Sequence, residues 1–146
     1  MSMDVERILR SKGATVVTIR PDATVADLVH GLREAKIGAM VVSEDGWHVD
    51  GIVSERDVVR GLAERGPDVL SLPVAEVMTR DVATCSPHDS VKAVMTEMTL
   101  RRIRHLPVVL DGTLRGIVSI GDVVKNRLDE METETGVLRD AYIART

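Results

Sequence analysis

The stretch Gly51-Ile52-Val53-Ser54-Glu55-Arg56-Asp57-Val58-Val59-Arg60 returns later in the chain as Gly116-Ile117-Val118-Ser119-Ile120-Gly121-Asp122-Val123-Val124-Lys125. Each copy runs from a β-branched strand pattern into a helix pattern, with Ser at the junction and Asp three residues on. Working outward, Arg20-Pro21-Asp22-Ala23-Thr24-Val25 corresponds to Ser86-Pro87-His88-Asp89-Ser90-Val91, and Ile37-Gly38-Ala39-Met40-Val41-Val42 to Ile103-Arg104-His105-Leu106-Pro107-Val108. The offset is 66 residues and falls to 65 after one deletion in the hairpin between Val42 and Gly51. A long period present only twice does not suit a solenoid, whose small units need several neighbours. It suits two similar halves closing on each other.

The chain has 146 residues, 44% of them apolar, and a net charge of -4, values of an ordinary globular protein in which each half alone would be marginal. No apolar run approaches the roughly 18 residues of a membrane span, and Met1-Ser2-Met3-Asp4 lacks the basic then apolar layout of a signal peptide. The expected location is the cytoplasm, with no membrane partner. Cys85 stands alone, which excludes an internal disulfide, and no Cys/His spacing suggests zinc or another metal. The aromatic residues are Trp47 and Tyr142, with no Phe, so the stacking platforms that usually hold single-stranded nucleic acid are missing. The basic run Arg101-Arg102-Ile103-Arg104-His105 straddles a helix end and the next strand, and is read as a solvated face. Nucleic acid is not an expected partner.

Along the chain, Val5, Ile8 and Leu9 recur at helical spacing over residues 4–11, with Gly13 as the stop. A strand is expected over residues 15–19. Thr24 then caps a helix over residues 25–35, with Asp27 completing a capping box and Leu28, Val29 and Leu32 on one face, and Gly38 ends it. Residues 39–43 and 49–54 form a hairpin through Asp45-Gly46. A helix from Glu55 turns Val58, Val59 and Leu62 inward and ends near Gly66-Pro67. A linker over residues 68–72 leads to a short helix over residues 73–78. The second half replays this order with a strand over residues 82–85, Ser90 as cap of a helix over residues 91–101, strands over residues 105–110 and 114–119, and a helix from about Gly121. An acidic run over residues 129–134 separates it from an amphipathic stretch, residues 137–143, expected to pack on a partner or across the first helix. The units are therefore residues 5–66, the first repeat with its preceding helix; residues 73–128, the second repeat with its short helix; and residues 129–146, a C-terminal helical tail.

These residues resemble the CBS domain, the repeat named after cystathionine beta-synthase, and the chain resembles a stand-alone CBS pair, or Bateman module, over about residues 5–128. The specific piece is Gly, two apolar residues, Ser or Thr, two variable residues and Asp, present twice in register. The resemblance implies an α+β fold of tandem CBS domains, each strand-helix-strand-strand-helix, packed around a pseudo-two-fold axis with two clefts for adenine nucleotides. The residues agree with it. At each motif the first turn of a helix presents unpaired N–H groups, Ser54 or Ser119 can cap that turn or reach a phosphate or ribose oxygen, and Asp57 or Asp122 can accept from ribose hydroxyls. Plain helix capping is the competing reading of these four residues.

Carried over from the family, the Asp122 cleft takes Ile117 and Arg104 from its own repeat and Thr18, Ala23, Gly38 and Ala39 from the first. The Asp57 cleft takes Ile52 and Arg56, with Thr84, Arg104 and His105 from the second repeat; in such sites the base hydrogen-bonds to backbone of the first strand, so Thr18 and Thr84 are implied to act mainly through main chain. Arg104 can pair with phosphate where the first repeat has Gly38, and Gly121 leaves room for a bulky ligand where the first repeat has Arg56, so the clefts are unequal. The implied function is regulatory: sensing an adenine nucleotide (AMP, ATP or NAD) and signalling to a protein target, as a homodimer, with no catalytic cofactor. The alternatives are a structural adaptor without ligand and an enzyme acting on the nucleotide. The chain offers no placed nucleophile and base, and Cys85 reads as a buried small hydrophobe. His30, His48 and His88 read as isolated solvent-facing residues.

Overall fold

The structure, a computed structural model, describes residues 3–13 and 15–145, with side chains described as far as residue 132. Helix α1 (Val5–Lys12) starts at Asp4, whose carboxylate accepts the Arg7 N–H at 3.1 Å, and stops at Gly13, where φ is 93°. Strand β1 (Thr18–Ile19), helix α2 (Val25–Ala35), strands β2 (Ala39–Val42) and β3 (Gly51–Ser54) and helix α3 (Glu55–Arg65) complete the first repeat. Two 3-10 turns, Pro67–Ser71 and Val74–Glu76, lead to the second repeat. It comprises helix α4 (Val91–Arg101), strands β4 (His105–Leu110) and β5 (Thr113–Ser119), and helix α5 (Ile120–Arg145). The mixed α+β order matches the expectation from the repeats.

In the first repeat β2 runs parallel to β1, Thr18 opposite Val41, and antiparallel to β3, Val41 opposite Ile52. In the second, β4 and β5 pair antiparallel, His105 opposite Ser119 and Pro107 opposite Ile117, with a bulge between Val108 and Val109. The strand expected over residues 82–85 is reduced to one parallel bridge, Cys85 to Val108, closed by Cys85 N–H to Pro107 O at 3.0 Å and Val109 N–H to Cys85 O at 2.8 Å. The strand expected over residues 15–19 likewise shrinks to Thr18–Ile19. The cause is shared: upstream of the paired residues the chain leaves the sheet edge and lines a cleft, where no ladder partner runs beside it.

The cap of α2 is the expected capping box, Asp27 N–H to Thr24 Oγ1 at 3.1 Å and Thr24 N–H to the Asp27 carboxylate at 3.2 Å. Its stop is not Gly38. Lys36 takes the left-handed conformation (φ 56°), and Arg102 does the same at the end of α4 (φ 56°). The inward faces also differ in part from the periodicity. Val58 is buried, but Val59 is 65% exposed, and Val29 and Leu62 are exposed too. A three-turn helix packed on one side buries only one stripe, and these residues lie beyond its edge. The acidic run does not break the last helix: α5 continues through it to Arg145, with Arg127 and Glu130 paired at 3.1 Å. The expected packing of residues 137–143 lies outside the described side chains. His48 is exposed as expected but not isolated, since the Asp45 carboxylate bonds its ring at 2.6 Å and holds it above the usual imidazole range.

The two cores exchange segments. Val5, Ile8 and Leu9 of α1 are buried with Val91, Val94, Met98, Leu106 and Val118 of the second repeat. Val74, from the connection between repeats, is buried with Val25, Leu28, Met40 and Val53 of the first. Each buried aliphatic side chain contributes roughly 1.5–3 kcal/mol. Backbone bonds stitch both exchanges: Val5 N–H to Asp89 O and Val91 N–H to Met3 O at 2.9 Å, Val25 N–H to Leu72 O at 2.9 Å and Val74 N–H to Ala23 O at 2.7 Å. Thus α1 precedes the first repeat in sequence and packs on the second in space.

The repeat glycines make these contacts possible. A Cβ on Gly51 would stand 2.7 Å from Met78 Sδ and 2.9 Å from the Thr79 carbonyl oxygen, and one on Gly116 would stand 2.5 Å from Leu9 Cδ2. A leucine methyl can rotate away, whereas a hydrogen-bonded carbonyl cannot. Gly51→Ala is therefore expected to cost about 1–3 kcal/mol and Gly116→Ala less. Urea unfolding of the two variants checks the order, and equal or reversed losses would contradict it.

Candidate functional site

Two clefts lie between the repeats. The Asp122 cleft, of about 400 Å³, is walled by Gly38 and Ala39 of the first repeat and by His105, Ile117, Ser119 and Asp122 of the second. The Asp57 cleft, of about 900 Å³, holds Ile52, Ser54, Arg56 and Asp57 of the first repeat and Arg104 and His105 of the second. Gly38, Ala39 and His105 line both, so they form the partition. A Cβ at position 38 would meet the His105 ring at 3.5 Å, the close approach that places these segments back to back.

Three expected site residues fall outside the clefts. Thr18 pairs in β1, Ala23 sits in the turn before α2 against the first core, and Thr84 is exposed just ahead of the Cys85 bridge. Thr15 and Val17 line the Asp122 cleft, and Asp81, Val82 and Ala83 line the Asp57 cleft. Thr18 and Thr84, to which the resemblance gives mainly a main-chain role, do not line either cleft with their side chains. Arg104 lines the Asp57 cleft but not the Asp122 cleft. Gly121 does not open the larger space; the larger cleft is the other one.

Capping accounts for more of the two Asp residues than their sequence context suggests. Asp122 accepts the Ser119 N–H at 2.9 Å while the Asp122 N–H donates to Ser119 Oγ at 3.1 Å, a full capping box. Asp57 accepts the Ser54 N–H at 2.9 Å and the Ser54 hydroxyl at 3.2 Å, with Arg60 at 3.5 Å. The short Asp side chain fills the place where Glu or Gln is commoner. Each carboxylate still faces its cleft.

The sequence reading missed Lys12. From the last turn of α1 its ammonium donates to Asp122 at 2.7 Å and to the Ile117 carbonyl at 3.0 Å. It also missed Lys36 in the Asp122 cleft and Arg60, Arg101 and Arg102 in the Asp57 cleft. Lys36 and Arg102 were findable, since both stand two residues before an expected site position at the common offset of 66. Lys12 carried no such signal, because α1 lies outside the repeat.

Burial pushes His105 below the usual imidazole range, with Asp122 and Glu55 pulling it up and Lys12 and Arg104 pushing it down, so the partition is neutral at pH 7. Burial alone would raise Asp122; the bonds from Lys12 and Ser119 outweigh it and hold the carboxyl below its ordinary value. Cys85, buried in the second core, has its thiol pushed up to about 12 by burial and by Asp89, and is protonated at neutral pH.

The CBS domain family model matches residues 5–64 and 74–129, and the chain belongs to that family. A mitochondrial CBS domain-containing protein of Arabidopsis thaliana, CBSX3, is 35% identical over 97% of this chain and 72% of its own length. The crystal structure of a CBS-domain containing protein from Agrobacterium tumefaciens is 41% identical, with a TM-score of 0.83 over 87% of this chain and 95% of that one. A CBS domain pair solved with 5′-methylthioadenosine and S-adenosyl-L-methionine shares the fold, with a TM-score of 0.78 at 23% identity over 89% of this chain and 99% of that one. No helix among the described residues is long and apolar enough to cross a membrane.

Because Asp122 ionises more readily folded than unfolded, its contribution to stability is present above the unfolded carboxyl value of about 4 and is lost as pH falls through the lower folded value. Lys12→Met removes its strongest partner. The variant is expected to be less stable at pH 7 and to lose less stability between pH 7 and pH 3 than the wild type. Urea titrations at both pH values check this, and parallel losses in the two proteins would contradict it.

Proposed function

We propose that the chain is a regulatory module that binds an adenine nucleotide in the clefts between its CBS repeats and passes the state of occupancy to a partner protein. The observation that carries this reading is the doubled site. In each cleft a Ser and an Asp at a helix start face cationic side chains supplied by the opposite repeat. That arrangement suits a ribose on the carboxylate and phosphate on the cations and backbone N–H groups. The related fold that holds 5′-methylthioadenosine and S-adenosyl-L-methionine adds precedent for an adenosine moiety in such a pair.

The Asp122 cleft connects directly to α1 through Lys12. A ribose taking Asp122 competes with Lys12 for the carboxylate and so acts on α1. Only a ligand that favours one arrangement of the repeats over another can signal, and a ligand seated between them meets that condition. Exposed Val59 and Leu62 on α3 and Val124, Leu128 and Met131 on α5 supply apolar surface for a second copy or a target. An enzyme acting on the nucleotide has less support: Cys85 is buried and protonated, and Ser119, which stands opposite His105 in the same cleft, has its hydroxyl engaged in the capping box of α5.

Thermal shift with AMP, ATP and NAD tests the reading. A ligand at a hundredfold excess over its Kd adds about 2.7 kcal/mol, a rise of several degrees. Asp122→Asn keeps a capping acceptor and removes the charge, and is expected to weaken the response of one cleft. No shift with any adenine nucleotide would favour a structural adaptor, and consumption of the nucleotide would favour an enzyme.

A further inference from the structure

The two clefts can be compared position by position, because the repeats that build them are in register. Where the Asp57 cleft has Arg56, Arg102 and Arg104, the matching positions of the other repeat are Gly121, Lys36 and Gly38. Three guanidinium groups in one cleft thus answer a single ammonium in the other. None of the three is engaged in an ion pair among the described residues, whereas Arg60 is held by Asp57 at 3.5 Å and Arg101 by Glu97. Five arginines in all face Glu55, Asp57 and Asp81 in the Asp57 cleft. In the Asp122 cleft Lys12 is already spent on Asp122 at 2.7 Å, which leaves Lys36.

Placement matters as much as number. Arg56 comes from the first turn of α3, while Arg102 and Arg104 come from the end of α4 and the approach to β4. The groups therefore converge on the cleft from opposite repeats, as a clamp on an extended anion would. Arg102 stands in the left-handed conformation, φ 56°, which glycine would adopt more easily, and so keeps a long cationic side chain at the cleft mouth. The volumes agree, about 900 Å³ against 400 Å³.

We propose that the Asp57 cleft selects ligands carrying a polyphosphate chain, gripped by Arg56, Arg102 and Arg104, and that the Asp122 cleft takes a less charged ligand. The assignment rests on the nucleotide reading above and specifies its ligand class: a nucleoside triphosphate or diphosphate in one cleft, a nucleoside or monophosphate in the other. Guanidinium groups bind phosphate oxygens in pairs, so each added phosphoryl group finds a donor set.

Calorimetry on the full chain with adenosine, AMP, ADP, ATP and inorganic tripolyphosphate tests it, alongside the combined variant Arg56→Gln, Arg102→Gln, Arg104→Gln. These side chains are exposed and make no ion pair among the described residues, so the variant should fold, which circular dichroism checks. The wild type is expected to tighten from AMP to ATP by about tenfold or more, with the gain shrinking as salt is raised. The combined variant should lose that gain and keep adenosine binding. Equal affinity for AMP and ATP, or a gain that survives the three substitutions, overturns the polyphosphate assignment and leaves the nucleotide reading standing. Tripolyphosphate bound as tightly as ATP upholds the arginine clamp and overturns the nucleotide reading. No binding of any probe overturns both.

Discussion

Neither half of this chain has a complete core of its own, and that exchange governs everything else. Helix α1 closes the core of the second repeat through Val5, Ile8 and Leu9, and the connection around Val74 closes the core of the first. The repeats cannot separate without exposing both sets of side chains to water, which is why a period present only twice makes a stable unit. The partition of Gly38, Ala39 and His105 sits between the two clefts as a consequence. Gly51 and Gly116, equivalent in sequence, are pinned by opposite ends of this exchange, one by Thr79 and Met78 and the other by Leu9.

The exchange also ties the clefts to the rest of the molecule. Lys12 stands at the end of the helix that seals the second core, and its ammonium reaches Asp122 across 110 residues of sequence. A change in the occupancy of Asp122 therefore has a direct route to α1. The Asp57 cleft has no counterpart to Lys12; its carboxylate is held by Arg60 from the same helix. Near-symmetry of the backbone and asymmetry of the charges coexist because backbone position is set by buried apolar residues, which the repeats share, while the cleft mouths are set by exposed ones, which they do not.

Most of the fold was legible from the residues. The doubled Gly-to-Asp motif, the Thr24 and Asp27 capping box and the Asp45-Gly46 hairpin are local signals, and local signals survive without knowledge of the partner segment. What failed was non-local. The first strand of each repeat shortens because half of it lines a cleft, Val59 and Leu62 turn outward because the core is narrower than the helix pattern, and α5 runs through its acidic stretch because nothing there breaks a helix. The candidate site divides the same way. Residues inside the motif, Ile52, Ser54, Asp57, Ile117, Ser119 and Asp122, face the clefts. Thr18 and Thr84, given mainly a main-chain role by the resemblance, have side chains outside both clefts. Lys12 could be found only once α1 was seen to pack on the opposite repeat.

The left-handed residues Lys36 and Arg102 show where stability gives way to the cleft. Each costs about 1 kcal/mol relative to glycine in that conformation, and each puts a cation at a cleft mouth. The most direct measurement is a crystal structure of the full chain grown with ATP. The proposed function predicts the ribose on Asp57 and the phosphate chain among Arg56, Arg102 and Arg104. ATP bound outside both clefts, or clefts left empty at saturating ATP, would contradict it.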